Sequence, residues 1–139
     1  MRCLLIVFLL SGMSYAQDDR FTSDMANGKL WLNLSETQRI FYAGAIRDMI
    51  SYNEIMGRNK PSVDRLWADG FTTGDYVKEL AEFYKDAENL LIPVPLAFDY
   101  CTEKLKGRHT KAELDQALIT FRSVALKLSK VGEPPPMRP

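Results

Sequence analysis

Few side chains in this sequence carry out chemistry by themselves. Cys101 and His109 are the first pair to consider, because a thiol becomes a nucleophile when an imidazole lies within hydrogen-bond reach. The eight residues from one to the other rise about 12 Å in a continuous helix, so within one helix the two cannot meet. Cys101 also belongs to the run Val94, Ala97, Phe98, Cys101, Leu105, whose spacings of three and four place it on the inner face of a helix. Burial there raises a thiol pKa, which favours an inert core thiol over a catalytic nucleophile or an intermolecular disulfide. A zinc cluster needs several cysteines and histidines, and one of each cannot supply it. Asp99 and Glu103, four apart, have the spacing of a shared metal site or paired acids, yet they read better as two solvated like charges. There is no Gly-rich phosphate loop, calcium loop or internal repeat. No catalytic, metal or cofactor residue is therefore expected, and the chain is expected not to be an enzyme.

Recognition chemistry has one candidate, the irregular connection from Gly57 to Thr73. It carries Arg58, Lys60, Arg65, Trp67 and Phe71, and arginine and tryptophan are enriched among residues that dominate binding energy. Long connections are displayed by a scaffold that does not depend on their sequence. The competing reading turns Trp67 and Phe71 inward as fasteners over the end of the domain, and for these two aromatics it is the favoured one.

The elements that position these residues are helical throughout. Met25, Leu30, Trp31 and Leu34 suggest a short helix, or a turn and a short helix, anchored by Trp31. Ser35 and Gln38 form a capping box that opens a long helix from about Glu36 to Ile55. Apolar groups cover more than half its circumference, which suggests a central helix packed on several sides. Thr73 is a candidate cap for a helix from Gly74 to Asp86 that turns Tyr76, Val77, Leu80, Ala81, Phe83 and Tyr84 inward. Pro93 and Pro95 suit the first turn of a third helix that ends near Gly107. Thr110 and Glu113 cap a fourth, running to about Lys130 with Leu114, Leu118, Phe121, Ala125 and Leu128 as its inner stripe. No strand signal competes. The expected fold is all-α, an antiparallel bundle of four main helices plus a short N-terminal helix.

Residues 1–16 read as a secretory signal: Arg2, the apolar run Leu4 to Leu10, and the small residues of Ser14-Tyr15-Ala16 before the cut. The apolar run is too short to span a bilayer, so no stable membrane anchor is expected after cleavage. Residues 17–131 are expected to form one helical domain and 132–139 a proline-rich flexible tail. Cys3 leaves with the leader, so Cys101 has no internal partner. The whole chain has 18 basic and 18 acidic groups, and this balance does not suit a nucleic acid. Asn33-Leu34-Ser35 is a glycosylation sequon, used only in a host that glycosylates.

Two segments carry a resemblance. Asn27 to Ser35, followed by Tyr42-Ala43-Gly44 and Asp48, resembles a Gly-x-x-Trp-x-x-Leu-Ser opening that continues into a Tyr-x-x-Gly helix. That opening is found in a family of small uncharacterised secreted helical proteins of bacteria. Phe83 to Val94, with Phe-Tyr-x-Asp-x-x-Asn and Ile-Pro-Val, resembles the second signature of that family. The order of elements is more distantly similar to the Tai-like periplasmic immunity domains, which commonly carry disulfides that this chain cannot form internally. The resemblance implies a secreted or periplasmic non-catalytic interaction protein, of the immunity or inhibitor kind, with another protein as partner. The alternative is a helical carrier that encloses a small ligand.

Overall fold

The computed structural model describes residues 19–56 and 67–130. Residues 1–18, 57–66 and 131–139, with the expected leader, the expected tail, and Arg58, Lys60 and Arg65, lie outside the described residues. The described chain is mostly helical, with one very small sheet.

That sheet corrects the expectation of no strand. Strands β1 (Phe21–Thr22) and β2 (Met25–Ala26) pair antiparallel around Ser23 and Asp24, whose φ angles of 50° and 62° are those of a two-residue hairpin turn. Two-residue strands leave no periodicity to read. This ribbon is held from outside, by Thr22 Oγ1 donating to the Leu91 carbonyl at 2.8 Å.

Asn27 joins the hairpin to the first helix, α1 (Gly28–Asn33). Its Oδ1 accepts from the Lys29 and Leu30 amides, while its Nδ2 donates to the Asp19 carbonyl and to Thr22 Oγ1. Its backbone bridges to Pro93. A buried amide that satisfies both ends in this way joins three segments at one point. Trp31 is wholly buried on α1 and meets Tyr42 edge to face, with ring centroids 6.2 Å apart.

Helix α2 (Glu36–Ile55) opens on the expected box: the Ser35 amide donates to Gln38 Oε1 and the Gln38 amide to Ser35 Oγ. Helix α3 (Thr73–Phe83) starts one residue earlier than the sequence suggested, with Thr72 as its cap. The reason is Asp75, which accepts from the Thr72 amide at 2.8 Å while its own amide donates to Thr72 Oγ1. A cap at Thr73 would have put Tyr76 at the reciprocal position, and Tyr76 is in the core. The helix also ends at Phe83 rather than Asp86, because Asp86 caps a 3₁₀ turn at Ala87–Asn89 through the Glu88 amide.

Helix α4 (Val94–Lys106) begins on Pro93 and stops at Gly107, whose φ of 63° is the left-handed conformation that a β-carbon penalises. Helix α5 (Lys111–Lys130) opens on the Thr110–Glu113 box, as expected. The four long helices meet mainly in chain order, α2 on α3, α3 on α4 and α4 on α5, while the ribbon touches α4 and α5. Between them lie Trp31, Tyr76, Leu80, Tyr84, Ile92, Val94, Phe98 and Cys101. The anticipated inner stripes of α3 and α4 face inward, whereas on α5 Ala125 is buried, Leu118 and Phe121 pack against the core, and Leu114 borders a cleft. Helix α2 differs from its reading. Among the described residues it is an edge helix with its main helical contact on α3, not a centre packed on several sides.

Candidate functional site

The outer face of α2 follows from that position. Residues Ala43, Ile46 and Ile50 turn into the core, and the opposite side of the same helix holds Phe41, Ala45, Met49, Tyr52 and Met56 at spacings of three and four. Phe41 is 74% exposed, Met49 54%, Tyr52 52% and Met56 52%, with Ile55 at 83% on the margin. Over that length the helix rises about 22 Å. Asp48 lies on the same margin as Ile55. The adjacent cation, Arg47, places its guanidinium carbon 4.9 Å from the centre of the Trp67 ring. Gly44 has open space where a β-carbon would stand, so beside Ala45 the stripe has a shallow notch.

Of the residues singled out for recognition, the described pair Trp67 and Phe71 turn toward the core. Tyr76 lies 4.0 Å from Trp67 and 4.5 Å from Phe98 between ring centroids, and Trp67 and Phe98 are themselves 5.6 Å apart, so the three rings form one cluster. Trp67 Nε1 donates to the Phe71 carbonyl at 3.0 Å, closing the chain over the end of α3. The Tyr76 hydroxyl accepts from the Ala68 amide at 2.8 Å. These are the contacts of a fastener. An open cleft of about 420 Å³ remains beside them, bordered by Phe71, Leu105, Lys106 and Arg108.

A second cleft, of about 340 Å³, lies between α4 and the start of α5. Tyr100, Leu114, Ala117 and Phe121 line it, with Asp99, Glu103, His109 and Glu113 around them. Its carboxylates do not act as a set. Glu103 takes Lys106 at 2.8 Å and His109 Nε2 at 3.1 Å. Glu113 is held below the usual carboxylate range by the Thr110 backbone and side-chain hydrogen bonds of the cap. Asp99 is pushed up by partial burial, and then by the charge of Glu103.

Cys101 is buried, and burial, with the charge of Glu79 behind it, pushes its thiol up to about 12. It faces a groove shared with Glu79, Phe83 and Lys104, whereas His109 lines the α4–α5 cleft. Nothing in these surroundings generates a thiolate. Among the described residues, no group of three or more histidine, cysteine, aspartate or glutamate side chains is placed to hold a metal ion. No helix of the described chain is long and apolar enough to cross a membrane.

The chain matches no family model, no curated protein and no solved structure. Function therefore has to be read from the surfaces themselves. The α2 stripe was within reach of the sequence as the wide apolar arc of that helix. What the arc does not contain is the number of neighbours that cover it, and among the described residues α3 is the main long helix packed on α2.

Proposed function

We propose that this protein is a non-catalytic interaction protein, acting in the periplasm or outside the cell, of the immunity or inhibitor kind, and that the outer face of α2 is its contact surface. In this reading the four long helices form an antiparallel bundle, with α1 and the hairpin closing one side. The chain-order packing of α2, α3, α4 and α5 supports that arrangement.

The observation that carries the reading is the bare apolar stripe. Taking roughly 200 Å² for a fully exposed large side chain, Phe41, Met49, Tyr52, Ile55 and Met56 together present about 600 Å². A contiguous apolar patch of about that size is at the upper end of what a folded monomer exposes and is often functional, whereas single exposed side chains need no explanation. Among the described residues, Phe41, Met49, Ile55 and Met56 are not part of the buried core or of the residues packed against it. Export is supported by the leader-like residues 1–16. Arg58, Lys60 and Arg65 stay candidate contacts on the sequence grounds given above.

The test is a photoreactive side chain at Ala45, introduced in cells that make the protein, with Lys111 on α5 as the control position. A cross-linked species at position 45 and none at 111, identified by mass spectrometry, is the expected outcome. No product at 45 overturns the reading.

A small-ligand carrier is the second reading, favoured by the aromatic-floored α4–α5 cleft, whose volume is that of a site for a small organic molecule. Native mass spectrometry of the purified protein decides it: a retained mass above that of the chain supports the carrier, and its absence removes it.

A further inference from the structure

We infer that the cleft between α4 and α5 takes a small organic ammonium ion, with its apolar body on Tyr100 and Phe121 and its charged head at Asp99. The inference rests on the carrier reading of that cleft and names the class of ligand.

Two helix faces make the cleft. Asp99, Tyr100 and Glu103 follow one another down one side of α4, and Glu113, Ala117 and Phe121 stand at every fourth position of α5. Ala117 contributes only a methyl group between its two larger neighbours. The Tyr100 ring packs on Phe83, with centroids 5.1 Å apart, so the aromatic floor is in place before any ligand arrives. At about 340 Å³ the cleft lies at the small end of the range for small-molecule sites.

Charge selects the ligand. Among the described residues three carboxylates border the cleft, and no lysine or arginine lines it. Two of the three are already engaged. Glu103 takes Lys106 and His109, and Glu113 Oε2 accepts from the Thr110 amide at 2.8 Å and from its hydroxyl at 2.9 Å. Asp99 makes no hydrogen bond or ion pair among the described residues, and Lys106, the cation whose field reaches it, is held by Glu103. An uncompensated carboxylate beside two aromatic rings suits an ammonium group, which pairs with the carboxylate and is attracted to the ring faces. Partial burial and the charge of Glu103 both work against the ionised Asp99, and a bound cation would offset both. An anion would meet three carboxylates, and the positive end of the α5 dipole, which would otherwise draw one, is met by Glu113. A metal ion does not suit the cleft, since among the described residues no three such side chains are placed to ligate one.

The test is titration of the purified protein with phenylbutylamine, phenylbutanol and phenylbutyrate, followed in amide proton–nitrogen magnetic resonance spectra. Probe concentrations run to about 10 mM, because ligands this small bind at millimolar strength or better. The amine is expected to shift the amides of Tyr100, Leu114 and Phe121. It should bind about tenfold or more tightly than the alcohol, the effect of one charge-assisted contact, and the acid should bind most weakly. Asp99→Asn, at an exposed position, should reduce the amine to the alcohol's affinity, with the amide spectrum outside the cleft that of the parent. An amine no tighter than the alcohol, or an advantage that survives Asp99→Asn, overturns the inference and leaves the cleft standing as a binding site. No shift at these residues with any of the three probes removes the inference and the carrier reading together.

Discussion

The backbone of Gly28 lies against the ring of Tyr84 so closely that a β-carbon there would come within 2.4 Å of Cδ1 and 2.6 Å of Cε1. The ring has nowhere to go, being buried, with its hydroxyl donating to the Ile92 carbonyl at 3.0 Å. Gly28→Ala should therefore destabilise the protein by about 3 kcal/mol, as severe overpacking does, although alanine is the better helix former. Urea denaturation measures it. A variant as stable as the parent would mean that α1 does not dock on Tyr84 in this way.

Arg122 holds α5 to the turn after α3. Its Nε donates to Asn89 Oδ1 at 2.9 Å, and its guanidinium also meets Asp86 and Glu88. The two acids are exposed and contribute little. Asn89 is buried, and loss of Arg122 strands its carbonyl. Arg122→Ala should cost about 2 kcal/mol, and Arg122→Lys should recover only part of it, because an ammonium cannot reproduce the fork. Removing Glu88 alone should change stability by less than about 0.5 kcal/mol.

Cys101 should label slowly with a thiol reagent while the protein is folded, and Cys101→Ala should cost about 1 kcal/mol through lost packing. The folded thiol is raised from 9.0 to about 12, so the unfolded chain releases the proton first. Stability from this group is intact below pH 9 and is lost progressively as pH climbs toward about 12. The Cys101→Ala variant should lack that part of the alkaline decline. Rapid labelling at neutral pH would show the site open.

Trp67→Ala should destabilise by about 3 kcal/mol, the range for removing a large aromatic from packed surroundings. Trp67→Phe should keep part of the stack on Tyr76 while losing the hydrogen bond to the Phe71 carbonyl. Equal stability of all three proteins in thermal melts would remove Trp67 as a fastener.

The α2 face should behave in the opposite way. Phe41→Ser with Met49→Gln should shift stability by less than about 0.5 kcal/mol, measured at a concentration low enough that association does not contribute. A large loss would mean that these side chains are covered within one copy of the chain.

Most of the helical outline was legible because it is written in short-range chemistry. Ser35 with Gln38 and Thr110 with Glu113 are each a donor and an acceptor three residues apart, and they open α2 and α5 where the spacing says. The inner stripe of α4, with Cys101 in it, is likewise a matter of angle along one helix. Where two neighbouring threonines competed, the choice fell to Thr72 because Tyr76 is needed in the core, a demand that arises outside α3. The hairpin at Phe21–Ala26 left no local pattern, since Thr22 is anchored by a carbonyl sixty-nine residues away.

The same division runs through the candidate site. By itself the sequence determined that α2 is apolar around most of its circumference, because side-chain type and a 3.6-residue repeat are local properties. It also determined that Trp67 and Phe71 are large enough to fasten a connection. Tertiary structure alone decided that Tyr76 and Phe98 would receive Trp67, and that α2 would, among the described residues, pack mainly on α3. How many surfaces arrive to cover a helix depends on where every other element packs, and no residue within α2 encodes that number.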